Sequence, residues 1–141
     1  MGDRLLSALI RRAADRSEHP VVRGECLERM SFNNGWPGPK NRIDRKAHRA
    51  VIQCLRDPDP YVRFHACYAA AHLRMHRVIP LLEGLVTDRE PAAMGETVGF
   101  EASEAIKELR RQGQGWQEGF KSGLPPARSF ENLHVDPYAS P

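Results

Sequence analysis

The residues of this chain best equipped for chemistry gather in one segment: His65, Cys67, His72 and His76. Imidazoles at i and i+4 or i+7 can share one side of a helix and converge on a metal ion. No carboxylate or cysteine nearby completes that set, and His76 falls past the expected helix end. These histidines therefore read as polar positions on a mostly buried helix. Cys67 could serve as a nucleophile with His65 or His72 as its base, but it sits among core positions, where cysteine packs as a small hydrophobe. Glu101, Glu104 and Glu108 form an acidic stripe interleaved with Lys107 and Arg111, the pattern of a solvated helix face with i,i+3 and i,i+4 pairs. No glycine-rich phosphate loop, serine triad or zinc spacing is present. The expectation is a chain with no catalytic residues, no metal and no cofactor.

The element that carries these groups begins at Asp57, Pro58, Asp59, Pro60, Tyr61, Val62, Arg63 and continues through an alanine-rich run at 64–73. It reads as a tight turn feeding a helix. Pro60 suits the first helical turn, where its missing N–H costs nothing, and Asp59 can cap the free donors. Val62, Ala66, Ala69, Ala70 and Leu73 then fall on one face of a 3.6-residue period. Phe64, Cys67, Tyr68 and Ala71 cover much of the other side, leaving Arg63, His65 and His72 polar. A helix apolar nearly all round is buried between neighbours.

This stretch has relatives on both sides. His19, Pro20, Val21, Val22, Arg23 aligns with Asp59 through Arg63, with Cys26 under Ala66 and Met30 under Ala70. Downstream, Val98, Phe100, Ala102, Ala105, Ile106 and Leu109 align with Val62, Phe64, Ala66, Ala69, Ala70 and Leu73. Self-similarity at this period marks a helical solenoid. The Asp-Pro-Asp-Pro-x-Val-Arg turn, the alanine-rich helix and the following Val78, Ile79, Pro80, Leu81, Leu82 resemble HEAT-like repeats of the phycobilisome lyase type, over roughly residues 3–112. The first copy departs from the pattern with Gly24 and Glu25 in place of alanines; the third lacks the Asp-Pro turn and the arginine. The resemblance implies an all-α fold, a short right-handed α-solenoid of about three helical pairs. It also implies that Arg63 ties neighbouring repeats together through hydrogen bonds. It says little of activity, since such repeats serve many functions.

At 141 residues one core is expected, burying about two-thirds of the unfolded surface. Hydrophobic content of 40% and charge of 28% are ordinary for a soluble protein, and mean hydropathy is −0.56. The apolar runs are too short for a membrane span. Asp3, Arg4, Arg11 and Arg12 break up the only early apolar segment, which argues against a signal peptide, and Leu6 stands where a myristoylation signal needs Ser or Thr. Cys26, Cys54 and Cys67 all lie on expected helix core faces, an odd number that argues against a disulfide framework and for a reducing cytoplasm.

In chain order, Asp3 can cap a first helix over residues 3–16 with Leu5, Leu6, Leu9, Ile10 and Ala13 inward. A second helix covers 20–30. A loop over 31–42, holding Gly35, Trp36, Pro37, Gly38 and Pro39, is long for its place. Asp44 starts the next helix, with Ala47, Val51, Cys54 and Leu55 inward and Arg45, Lys46, His48, Arg49, Gln53 and Arg56 toward water. After the alanine-rich helix, another carries Val78, Ile79, Leu82, Leu85 and Val86, with Gly84 inside it costing about 1 kcal/mol. A connection over 88–96 leads to Thr97, which can cap a last helix ending near Gly113. The domain reading is thus a HEAT-like solenoid over 1–112 and an irregular Gly/Pro-rich tail over 113–141. The aromatics in that tail, Trp116, Phe120, Phe130 and Tyr138, favour docking on the solenoid end.

Charge divides the chain. Residues 1–56 hold twelve Lys or Arg against six Asp or Glu, whereas 57–141 hold nine against twelve, within a net charge of +3. The repeat resemblance places Arg4 and Arg11 of the first helix beside Arg45 and Arg49, a basic strip suited to an acidic protein surface or to phosphates. Trp36 beside it is an aromatic of the type enriched at interface hot spots. The reading preferred is a non-catalytic module that binds an acidic surface of another protein, as bacterial adaptors or toxin-neutralising proteins do. One alternative is a nucleic-acid binder, because related HEAT-like solenoids include alkylated-base DNA glycosylases; the short strip and modest net charge weigh against it. The other is an accessory to bilin attachment, implied by the lyase-type repeat.

Overall fold

The computed structural model describes residues 2–33 and 42–121. Among them are six α-helices: α1 (Asp3–Ala14), α2 (Pro20–Met30), α3 (Arg42–Leu55), α4 (Pro60–His72), α5 (Ile79–Glu83) and α6 (Val98–Lys121). A small antiparallel hairpin, β1 (Pro91–Ala93) and β2 (Glu96–Thr97), precedes α6. Consecutive helices pair, α1 with α2, α3 with α4 and α5 with α6. The pairs stack so that α2, α4 and α6 form one layer, while α1 lies on α3 in the other. This is the all-α solenoid that the repeat pattern predicts.

Local chemistry sets the helix starts. Pro20 and Pro60 open α2 and α4, and the preceding side chains cap them: His19 Nδ1 accepts from the Val21 N–H at 3.1 Å, and Asp59 accepts from the Tyr61 N–H at 2.8 Å. Thr97 Oγ1 accepts from the Phe100 N–H, as its capping role requires. Val62, Ala66, Cys67, Ala69 and Ala70 of α4 are wholly buried, because α4 is packed by α2, α3 and α6. Small side chains there let the helices approach closely.

Asp15, Asp57 and Asp88 occupy equivalent places in the three turns that close the pairs. Each accepts, through Oδ1, the backbone N–H two residues on, from Ser17, Asp59 and Glu90 at 2.9, 3.0 and 3.0 Å. Two arginines stitch these turns to the pair before. Arg23 of α2 reaches forward to Asp57 at 2.6 Å and donates to the Ala13 carbonyl; Arg63 of α4 reaches Asp88 at 3.0 Å and donates to the Asp57 and Pro58 carbonyls. The inter-repeat role implied for Arg63 is thereby found. In the third copy the arginine position holds Gly99, whose N–H donates to the Asp88 carbonyl at 2.8 Å.

Several expected boundaries shift. Gly2, not Asp3, is the N-cap of α1, which ends at Ala14; Asp3 instead places its charge in the first turn, where the helix dipole favours it. α3 starts at Arg42 rather than Asp44. His48, expected in water, is 2% exposed, because α3 is flanked by both α1 and α4 and so buries a wider arc than one partner would require. α5 stops at Glu83 with Gly84 as its cap, leaving Leu85 partly buried and Val86 exposed. The connection over 88–96 contains a hairpin, turned by Met94 and Gly95 with φ of 52° and 74°. Phe100 is exposed where its repeat partner Phe64 is buried. α6 runs on through Gly113 to Lys121, since single glycines among good helix formers weaken a long helix by about 1 kcal/mol each without ending it. The rest of the expected tail, 122–141, lies outside the described residues.

α4 ends in a Schellman motif: the Met75 N–H donates to the Ala70 carbonyl at 2.9 Å and the Arg74 N–H to the Ala71 carbonyl at 3.2 Å. Arg74 holds the left-handed position, φ 57°, usually given to glycine. Arg74→Gly should therefore stabilise the fold by about 1 kcal/mol, read as a higher midpoint of urea unfolding.

Candidate interaction surfaces

The four arginines of the expected strip lie on two helices that touch. Arg4 and Arg11 of α1 are exposed, seven residues apart and opposite the buried face of Leu6, Leu9 and Ala13. Arg45 and Arg49 of α3 are half-buried and stand opposite Ala47, Ala50, Val51 and Cys54. Both pairs thus point away from the core faces of their helices in the same layer, Arg4 and Arg11 into solvent and Arg49 with its Nε buried. Trp36 lies outside the described residues.

The groups considered for catalysis occupy quite different places. Cys67 is fully buried, and burial, reinforced by the charges of Glu101 and Asp88, pushes its thiol far above the ordinary range. Burial likewise pushes the Cys54 thiol up to about 11. Neither thiol is a thiolate at neutral pH, so neither is poised as a nucleophile. His72 Nδ1 lies 3.0 Å from the Tyr68 carbonyl and His76 Nδ1 lies 2.9 Å from the Arg74 carbonyl, beyond the end of α4. Among the described residues, no group of three or more His, Cys, Asp or Glu side chains is arranged to hold a metal ion. No described helix is long and apolar enough to cross a membrane.

The solvent side of α4 has a composition of its own. Tyr61, His65, Tyr68 and His72 follow one another at i, i+4, i+7 and i+11, so they form a single stripe along the helix. Tyr61 and His65 have ring centroids 4.5 Å apart; Tyr68 and His72 stack at 3.9 Å. Glutamates flank the stripe. On the α6 side, Glu104 pairs with Lys107 and Glu108 with Arg111, whose guanidinium hydrogen bond is the main reason the Glu108 carboxyl falls to about 2. Burial, with repulsion from Glu104, raises the Glu101 carboxyl despite the opposing influence of His72. On the α2 side, Glu25 and Glu28 are exposed and have no ion-pair partner among the described residues.

Those two glutamates also line a groove between α1 and α2 of about 480 Å³, together with Leu5, Leu9, Arg29 and Phe32. Leu5, expected to face the core, is 55% exposed, and Phe32 in the 3-10 turn after α2 is 62% exposed. The apolar stripe of α1 is wider than α2 and α3 can cover, and its uncovered edge becomes the groove wall. The sequence reading has Tyr68 among the apolar residues that cover the helix and the histidines as polar positions on a mostly buried helix. The alternation of Tyr and His at helical spacing was the available signal.

Repeat-equivalent turns, an alanine-packed central helix and stacked helical pairs define the architecture independently of any relative. No curated protein and no solved structure matches the chain. The sequence profile of HEAT repeats does match, over residues 6–98, from the buried face of α1 to the start of α6. The chain belongs to the HEAT repeat family.

Proposed function

We propose that this protein is a non-catalytic interaction module whose arginine strip docks an acidic surface of a partner protein, in the role of an adaptor or a neutralising regulator. What supports this reading is that Arg4 and Arg11, and Arg45 and Arg49, lie away from the core faces of two helices in contact. HEAT repeats commonly mediate protein–protein contacts, and a concentrated basic field accelerates encounter with an acidic partner.

A polyglutamate peptide and a generic DNA duplex serve as probes in one titration series. The peptide should bind at low salt, and Arg11→Glu with Arg45→Glu should weaken it about tenfold while leaving the melting temperature unchanged. If the duplex binds instead at physiological salt, with a log–log salt slope near −0.9 per phosphate contact, the acidic-protein reading is replaced by nucleic-acid binding.

A further inference from the structure

We propose a second docking surface, formed by the groove between α1 and α2 and the Tyr–His stripe of α4, that takes a basic segment of a partner protein carrying an apolar residue beside its cation. This inference stands apart from the arginine strip, so either can fail alone.

Three observations converge on the seam between α2 and α4. Among the described residues Glu25 and Glu28 stand there unpaired, although Arg29 is close in sequence and lines the same groove. Beneath them, His65 is 8% exposed and neither of its ring nitrogens has a hydrogen-bond partner among the described residues. A buried imidazole with both nitrogens unmet is an exception among native side chains, which satisfy such groups. Burial holds its pKa below the ordinary value against the opposing charges of Glu28 and Glu25, which shows how near those two carboxylates stand. Third, the Tyr61 ring lies over this seam against His65.

The closeness of these groups depends on Gly24. A Cβ at that position would stand 2.4 Å from Tyr61 Cε1 and 2.9 Å from His65 Cδ2, so a side chain there would displace both rings. The first copy's departure from alanine at position 24 is explained by this packing.

Two unpaired carboxylates beside an aromatic face are together the recognition set for a guanidinium or ammonium group. The same glutamates rim the groove walled by Leu5, Leu9 and Phe32, where an apolar side chain adjoining the cation would be covered. Arg29 also lines this groove, but one cation attracts an acidic occupant less than two carboxylates repel it, so the local balance selects a basic one. Exposed phenylalanine and leucine rimmed by charged side chains are the usual composition of an interface core and its rim.

The test uses the full chain and fluorescein-labelled peptides of repeating Arg-Leu, Arg-Ser and Glu-Leu, followed by anisotropy. The Arg-Leu peptide should bind, Arg-Ser should bind at least about fivefold more weakly, and Glu-Leu should not bind. Glu25→Gln with Glu28→Gln should reduce Arg-Leu affinity about tenfold, and Phe32→Ser about fivefold, all at exposed positions that leave folding intact. Glu104→Gln with Glu108→Gln removes the same charge from already paired carboxylates and should change affinity less than about twofold. Equal losses from the two glutamate pairs would reduce the effect to net charge and overturn the site. So would failure of Arg-Leu to bind, or a concentration-dependent dimer abolished by Glu25→Lys, which would make a second copy of this chain the occupant.

Discussion

Replacing Arg23 by methionine should destabilise the fold by about 3–5 kcal/mol, a large share of the stability of a small domain. Arg23 and Asp57 form a pair at 2.6 Å with side chains only 5% and 2% exposed. Removing the guanidinium leaves the carboxylate in a dry site with no counter-ion. It also takes from the Ala13 carbonyl the Arg23 Nε donor at 2.9 Å, leaving it the weaker Cys54 thiol at 3.4 Å. Methionine keeps much of the side-chain volume, so the loss reports charge rather than a cavity. Arg23 itself is held above its ordinary pKa: burial works against the cation, but the hydrogen bond and charge of Asp57 and the contact with Cys54 outweigh it. Urea unfolding checks the value, and a double variant, Arg23→Met with Asp57→Asn, should recover part of the loss by removing the stranded charge. Recovery should be incomplete: the amide oxygen introduced by Asp57→Asn is committed to the Asp59 N–H, which Asp57 Oδ1 now holds at 3.0 Å, so its nitrogen faces the site the guanidinium has left. A loss below about 1 kcal/mol for Arg23→Met would place this pair with ordinary surface pairs and remove it as the tie between repeats. Arg63→Met should cost less, since its pair with Asp88 is partly solvated at 12% and 16% exposure.

What could be read from the chain beforehand was what neighbouring residues decide among themselves. Pro20 and Pro60, each behind a capping side chain, announce their helices locally, and both helices start where expected. The near-complete burial of α4 follows from having hardly any polar residue to expose. The Arg23–Asp57 contact spans α3 and the connection before it, and no local rule links those two residues. Leu5 fails for a related reason: it has the same hydropathy as Leu9 and lies one turn before it on the same side of α1, and only the absence of a neighbour over that edge exposes it. His65 shows the limit most clearly. Its sequence setting is that of an ordinary polar residue on a buried helix, whereas its close packing depends on Gly24 of another helix. The hairpin before α6 escaped because its turn is Met94-Gly95, not the Asn-Gly or Asp-Gly that signals such turns, and because β1 leans on α4 for support.

Gly99→Ala should destabilise the protein by about 1–3 kcal/mol, against the sign that helix propensity alone assigns. Gly99 lies in the first turn of α6, and its copy-two counterpart is Arg63. A Cβ there would lie 2.5 Å from the Val86 carbonyl oxygen and 2.7 Å from that of Asp88. Both are backbone atoms, so no rotamer change relieves the contact; α6 or the turn before the hairpin must move. Movement of either would strain the Gly99 N–H bond to Asp88, and Asp88 is also the partner of Arg63, so the clash reaches the tie between the second and third pairs. Gly113→Ala supplies the control in the same helix, because nothing lies within 4 Å of a Cβ there. That variant should gain about 0.5–1 kcal/mol from the lower entropy of its unfolded chain. Opposite signs for one chemical change at two sites in α6, measured by urea unfolding under one set of conditions, are the expected result. A gain at both positions would show that the start of α6 is free of the 86–88 backbone, and would sink the claim that a glycine in the arginine's place ties α6 to the Asp88 turn.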